Sequence, residues 1–336
     1  MDTQIDAQMK PLNICQTTTY AVRKQVIWAG NFIHAPLMHG VKVLVLLCGL
    51  GCTVAQAQSD SFAPIRSIHA ALATCQGDNC KRLSDTLAST LEEMLSIPGA
   101  MEGWPDQLDF MAGVASADKA LRVFTWNWTH DNRTSSYGGL VASRLRENAD
   151  VVFTALYDES SDDRPEENQT YRFDEWHGAL YYHMVPDPAE TNTYLLLGWD
   201  DADAQVTRKL IEPIQVRSRG LRFGAPVLQS PTGLRRRHIL EYADAVQVSL
   251  RHQPKTKGRT GQPERIVFDH LAPQEPHLRG ISAYYGPDMT FEAYTPGKRE
   301  GSPWVLEQDV QAIQPLQNDR PFHDPRQRKR PRNRRQ

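Results

Sequence analysis

Between Gly103 and Ile313 the chain contains no run long and periodic enough to serve as a crossover helix, and this limits the fold more than any other feature. Parallel strands need such a connection, whereas strands separated only by turns pair antiparallel. The segment instead offers short runs rich in Val, Leu, Tyr, Phe and Trp, cut by Gly, Pro, Asp and Asn at intervals of about 10–20 residues. Eleven strands are predicted: Leu121–Trp128, Gly139–Arg144, Val151–Tyr157, Gly178–Val185, Thr193–Trp199, Lys209–Ile214, Arg237–Tyr242, Ala245–Leu250, Arg265–Asp269, Thr290–Tyr294 and Trp304–Glu307. The expected class is mainly β: an antiparallel body over 104–313, built as a β-sandwich or as a small propeller or barrel-like closure. Two similar turns, Ser116–Ala120 and Gly286–Thr290, suggest blades, but no repeat period of about 40 residues runs through the body. The strict alternation of an outer-membrane barrel is also missing.

Ahead of this body, 58–100 reads as a helical hairpin. Ile65, Ile68, Ala71 and Leu72, then Leu83, Leu87, Leu91 and Leu95, recur at helical spacing, and Pro98-Gly99 stops the second helix. Cys75 and Cys80 bracket the turn-forming Gln76-Gly77-Asp78-Asn79, so a disulfide is expected between the two helices. Zinc would require further ligands nearby, and a thioredoxin-like site would require C-x-x-C.

Residues 1–57 read as a leader. Its apolar stretch, 43–55, is too short to span a bilayer, follows Lys42 and ends in Ala55-Gln56-Ala57, which matches a secretory signal with cleavage before Gln58. A start at Met38 would give the signal its normal short basic segment. Lipidation at Cys52 is disfavoured because Gly49 stands where the motif wants Leu. The implied destination is the periplasm, the outer-membrane surface or the exterior, with no transmembrane span after cleavage. The net charge of −2 conceals a leader of +2, a body over 58–319 of −11 and a terminus over 320–336 of +7. By composition 314–336 is a disordered basic tail. Its Arg326, Arg328, Lys329, Arg330, Arg332, Arg334 and Arg335 are suited to anionic lipid or lipopolysaccharide, and export makes nucleic acid the poorer partner.

Three phrases occur together in the body: Tyr194-Leu-Leu-Leu-Gly-Trp-Asp200, Ile266-Val-Phe-Asp-His-Leu271 and Tyr285-Gly-Pro-Asp288. With them the chain resembles a set of uncharacterised exported β-rich proteins of Bacteroidetes-type bacteria, over roughly Asp109 to Val310. The resemblance implies export and one body domain. It brings neither an activity nor catalytic residues.

No motif assigns a reaction. The G-x-S-x-G elbow, the Gly-rich phosphate loops, H-E-x-x-H and paired C-x-x-C spacings are all absent. Gly198-Trp199-Asp200-Asp201-Ala202-Asp203 could offer Asp200 and Asp203 to calcium or another divalent cation, although an acidic hairpin turn explains it more simply. Asp269 and His270 are adjacent on a strand and so point apart; an acid–base pair with His270 needs a third residue, with His183, His238 and Asp288 as candidates. Trp126, Trp128, Tyr181, Tyr182, Trp199, Tyr284, Tyr285 and Trp304 are core candidates, some of which would face outward on a sandwich and could stack on a sugar. The expected role is a non-catalytic envelope protein that binds a partner or glycan without a cofactor. The alternative is a metal-assisted hydrolase using Asp200, Asp203, Asp269 and His270.

Overall fold

The computed structural model describes residues 61–130, 134–146, 149–158, 164–257 and 261–311. The leader and the basic tail lie outside the described residues. Three helices come first: α1 (Ala63–Leu72), α2 (Asp78–Leu95) and the single-turn α3 (Ala100–Gly103). Sixteen strands follow. They are β1 (Ala112–Ala115), β2 (Leu121–Thr129), β3 (Ser135–Ser143), β4 (Val152–Tyr157), β5 (Tyr171–Arg172), β6 (Leu180–Pro186), β7 (Thr193–Asp200) and β8 (Val206–Arg217), then β9 (Gly220–Phe223), β10 (Leu228–Ser230), β11 (Gly233–Arg235), β12 (His238–Ala243), β13 (Leu250–Gln253), β14 (Arg265–Pro273), β15 (Tyr285–Thr295) and β16 (Trp304–Glu307).

The mainly-β body and the helical hairpin are as expected, and no barrel closes among the described residues. The strands form three sheets: a first of order β1-β2-β3-β4, a central one of order β5-β9-β8-β7-β6 with β12 also on β8, and a third of order β11-β10-β16-β15-β14-β13. Among the described residues all pairings are antiparallel except that of β10 with β16. Among the described residues no helix is long and apolar enough to cross a membrane.

Three buried clusters show how these parts stack. Ile65, Leu72, Leu87 and Leu91 pack the helices onto Phe124, Trp126 and Leu140 of the first sheet. Val123, Val141 and Leu156, from the other face of that sheet, meet Tyr181, Leu196, Ile214 and Phe223 of the central sheet. Leu195, Leu197, Ile211 and Leu240, from the far face of the central sheet, meet Ile266, Phe268, Tyr294 and Trp304 of the third. Successive residues on a strand point to opposite faces, so Leu195, Leu196 and Leu197 supply two cores in turn. Every residue of β7 is buried. Its uninterrupted apolar run, with no alternation, is the pattern of a strand covered on both sides.

Local chemistry fits each layer. Cys75 and Cys80 form the expected disulfide between α1 and α2. Gly138 lets α2 approach the first sheet: a Cβ there would lie 2.4 Å from Ser84 Oγ, which accepts a 2.8 Å bond from Trp126 Nε1. On β8, Pro213 falls between Ile211, paired with His238 of β12, and Ile214, paired with Phe223 of β9. A missing N–H does no harm where the flanking strand changes. The carbonyl of Pro213 accepts the N–H of Gly224 at 2.7 Å.

The predicted segment Ala245–Leu250 is mostly loop, and strand structure starts only at Leu250, where the chain pairs with β14. Of the eight aromatic residues expected to divide between core and surface, Trp126, Tyr181, Trp199 and Trp304 are buried. Trp128, Tyr182, Tyr284 and Tyr285 retain partial exposure.

Candidate functional site

A cavity of about 100 Å³ opens where the first and central sheets end together. The close of β7 brings Asp200 and Asp201, the start of β3 brings Ser135, Ser136 and Tyr137, and β8 brings Arg208. His130 after β2, Thr134 before β3, Asp158 after β4 and His177 before β6 complete the polar lining. Antiparallel pairing of β7 with β8 sets Asp200 opposite Arg208, so a short hairpin places acid and base side by side. Gly178, at φ +36°, makes room for Tyr137, whose ring a Cβ at that position would meet at 2.3 Å.

Tyr137 is the hinge of the arrangement. Its hydroxyl donates to Asp200 Oδ1 at 3.0 Å and accepts the Asp201 N–H at 2.7 Å. Burial and the Asp200 charge push its own pKa well up, so it stays a donor. Arg208 donates from Nη1 to Asp200 Oδ2 at 3.1 Å and from Nε to Glu241 Oε1 at 2.7 Å. Burial works against the Arg208 charge, but the Asp200 and Glu241 carboxylates prevail and raise its pKa. Ser135 Oγ donates to Asp201 Oδ2 at 3.3 Å, and Ser136 Oγ lies 2.8 Å from His130 Nε2.

Asp200 is buried, and burial lifts its pKa to about 6 against the pull of Arg208 and Tyr137. A carboxyl whose folded pKa exceeds its unfolded value near 3.8 favours the fold while protonated. That contribution is full below about pH 4 and is lost as the pH rises through about 6. Asp200→Asn is therefore expected to remove a fall in unfolding free energy of up to about 3 kcal/mol between pH 4 and pH 7. Urea denaturation of both proteins at the two pH values measures this; an equal fall in both would disprove it.

The residues singled out in the sequence occupy separate places. Asp203 closes its own turn, accepting the N–H groups of Gln205 at 2.6 Å and Val206 at 2.9 Å. Asp201, not Asp203, accompanies Asp200 in the cavity. Asp269 accepts the Ser249 N–H at 2.6 Å, and burial raises its pKa. His270 Nδ1 meets Asp288 Oδ2 at 2.8 Å, at the register shift between Asp269 and Leu271. Asp288 is thus the partner His270 needed. Thr290, which donates to it, and His270 together hold the Asp288 carboxyl down to about 2. The pair is largely exposed on the third sheet. His183 instead contacts His252, at 3.2 Å, and His238 is buried against Phe268 and Tyr294. Burial lowers the His238 pKa to about 3, so its ring is a neutral core group.

No group of three or more His, Cys, Asp or Glu among the described residues is placed to hold a metal ion. The proposed set Asp200, Asp203, Asp269 and His270 is therefore not gathered into a metal centre there. Comparisons with protein-family models, with curated proteins and with solved structures return no match.

Proposed function

We propose that this chain is an exported, non-catalytic envelope protein that grips the hydroxyl edge of one sugar unit of a glycan at the mouth of the cavity between the first and central sheets. The observation that carries this reading is the lining itself: hydroxyls of Thr134, Ser135 and Ser136, imidazoles of His130 and His177, and carboxylates converge on one small recess. Polar groups fixed in a recess of this kind suit a ligand that both donates and accepts hydrogen bonds. The Asp200 charge is compensated by Arg208 and Tyr137, which favours recognition of a neutral polyol. Export is supported by the apolar stretch 43–55 and the small-residue site that follows it. N-terminal sequencing of the protein recovered by cell fractionation tests export; a cytoplasmic chain retaining residues 38–57 would overturn it.

A second reading has one contact in its favour, because Ser136 and His130 at 2.8 Å resemble a nucleophile and its base. Such a pair also needs an orienting group on the ring and donors for an oxyanion. Titration of the full chain with a panel of neutral monosaccharides, followed calorimetrically, separates the two readings. Saturable binding is expected, weakened about tenfold or more by Ser136→Val, which removes a hydrogen bond and fills space, and unchanged by Asp203→Ala. Absence of binding across the panel, or an equal effect of both substitutions, would refute the glycan reading. Covalent labelling of Ser136 by a fluorophosphonate would favour the hydrolytic one.

A further inference from the structure

At the opposite end of the central sheet from the cavity, arginines gather on one face. β8 ends at Arg217, the turn contributes Arg219 ahead of Gly220 at φ +109°, and β9 contributes Arg222. The register sets Gln215, Arg222 and Arg172 side by side across β8, β9 and β5. Leu221 and Phe223 enter the core beneath the first sheet, so Arg222 leaves by the other face. Arg172, Arg217, Arg219 and Arg222 are all exposed. Arg172 is held by Asp174 through two bonds, Nε to Oδ1 at 3.0 Å and Nη2 to Oδ2 at 3.1 Å. Arg217 turns Nε and Nη2 onto Gln215 Oε1, at 3.2 and 2.6 Å, in place of a carboxylate. Among the described residues neither Arg219 nor Arg222 is within ion-pair distance of a carboxylate.

Two facts make this more than a charged surface. Like charges directly opposite on paired strands oppose pairing, and Arg222 faces Arg172 while, among the described residues, only Arg172 has a carboxylate, Asp174, to offset its charge. The row also belongs to a body of net charge −11 over 58–319, where acidic neighbours are plentiful. Each basic group in it is arginine, whose planar fork matches the oxygens of a phosphoryl group in two parallel hydrogen bonds.

We propose that the row of Arg172, Arg222, Arg217 and Arg219 is a receptor for phosphoryl groups, with Arg222 and Arg219, which no carboxylate among the described residues engages, supplying the donors. The group is either free in solution or carried by a lipid headgroup. The experiment uses the full chain, so that the basic terminus is common to every arm. The wild type, Arg219→Glu/Arg222→Glu and the charge-matched control Arg82→Glu/Arg279→Glu are each titrated with inorganic phosphate, and sedimented with vesicles of equimolar phosphatidylglycerol and phosphatidylcholine. All four substituted side chains are exposed, and circular dichroism verifies that both variants fold. Binding of at least one probe is expected, with about tenfold or greater loss in the row variant and near wild-type affinity in the control. Phosphate binding identifies a soluble ligand, and vesicle binding alone identifies a headgroup. Binding of neither probe, or equal loss in the two variants, overturns the proposal.

Discussion

Arg237→Ala is expected to cost about 3–5 kcal/mol of unfolding free energy, as removal of one member of a buried ion pair does. Arg237 is 0% exposed. Its Nε and Nη2 donate to Glu212 Oε1 at 3.0 and 2.9 Å, and its Nη1 donates to the carbonyls of Glu166 and, at 2.8 Å, Gln169. The guanidinium also lies 4.5 Å from the centre of the Tyr171 ring. Glu212 accepts a further bond from the Tyr181 hydroxyl, which itself accepts the indole N–H of Trp176 at 2.9 Å. Burial and the Glu212 charge raise the Tyr181 pKa well up, so this link stays protonated. Alanine at 237 would strand a buried carboxylate and two carbonyls together. The double change Arg237→Met/Glu212→Leu removes the stranded charge and is expected to recover part of the loss. Equilibrium denaturation measures both, and a single-variant loss under about 1 kcal/mol would show that solvent reaches Glu212.

Arg122→Met is the second large effect, acting on the helical layer. Arg122 is almost fully buried on β2 and reaches toward the turn around α3. It donates from Nε to Met101 O at 2.9 Å, from Nη1 to Pro105 O at 2.9 Å and from Nη2 to Trp104 O at 2.8 Å. Methionine keeps much of the apolar volume but leaves three carbonyls without donors, at about 1 kcal/mol or more apiece. The expected loss is about 3 kcal/mol, together with faster amide hydrogen exchange over 97–105 and unchanged protection in β7. Uniform acceleration across both regions would show instead that the helices and sheets open as one unit.

These two arginines also mark what the sequence hides. Arg235-Arg236-Arg237 are three successive charges, and only the fold shows that the third member is inside. A buried charge is recognisable by its partner, and Glu212 is 25 residues away. Tyr137 is likewise 63 positions from Asp200, so only the acidic half of the cavity was visible beforehand. The long strands were legible because their own residues favour extended backbone, as in the Tyr194–Trp199 run. Tyr171–Arg172, Leu228–Ser230 and Gly233–Arg235 were not, because strands of two or three residues are made by their neighbours. The number of layers was equally obscure: Leu195, Leu196 and Leu197 announce burial without saying that two separate cores share them.

The order in which strands enter the central and third sheets limits how the chain can reach this state. The helices and the first sheet are finished by Tyr157, a contiguous stretch of mostly local pairings. Thereafter β10 and β11 are laid into the third sheet before β12 returns to the central one, and β13–β16 then complete the third. The last strand of the central sheet is in place by Ala243, but both faces of that sheet carry apolar residues that need a covering layer. A nascent chain released at Ala243 would hold a complete central sheet with one whole apolar side uncovered. The far face of the central sheet is therefore covered only when β13–β16 are present, and until then Leu195, Leu197, Ile211 and Leu240 are the side chains a chaperone would have to shield.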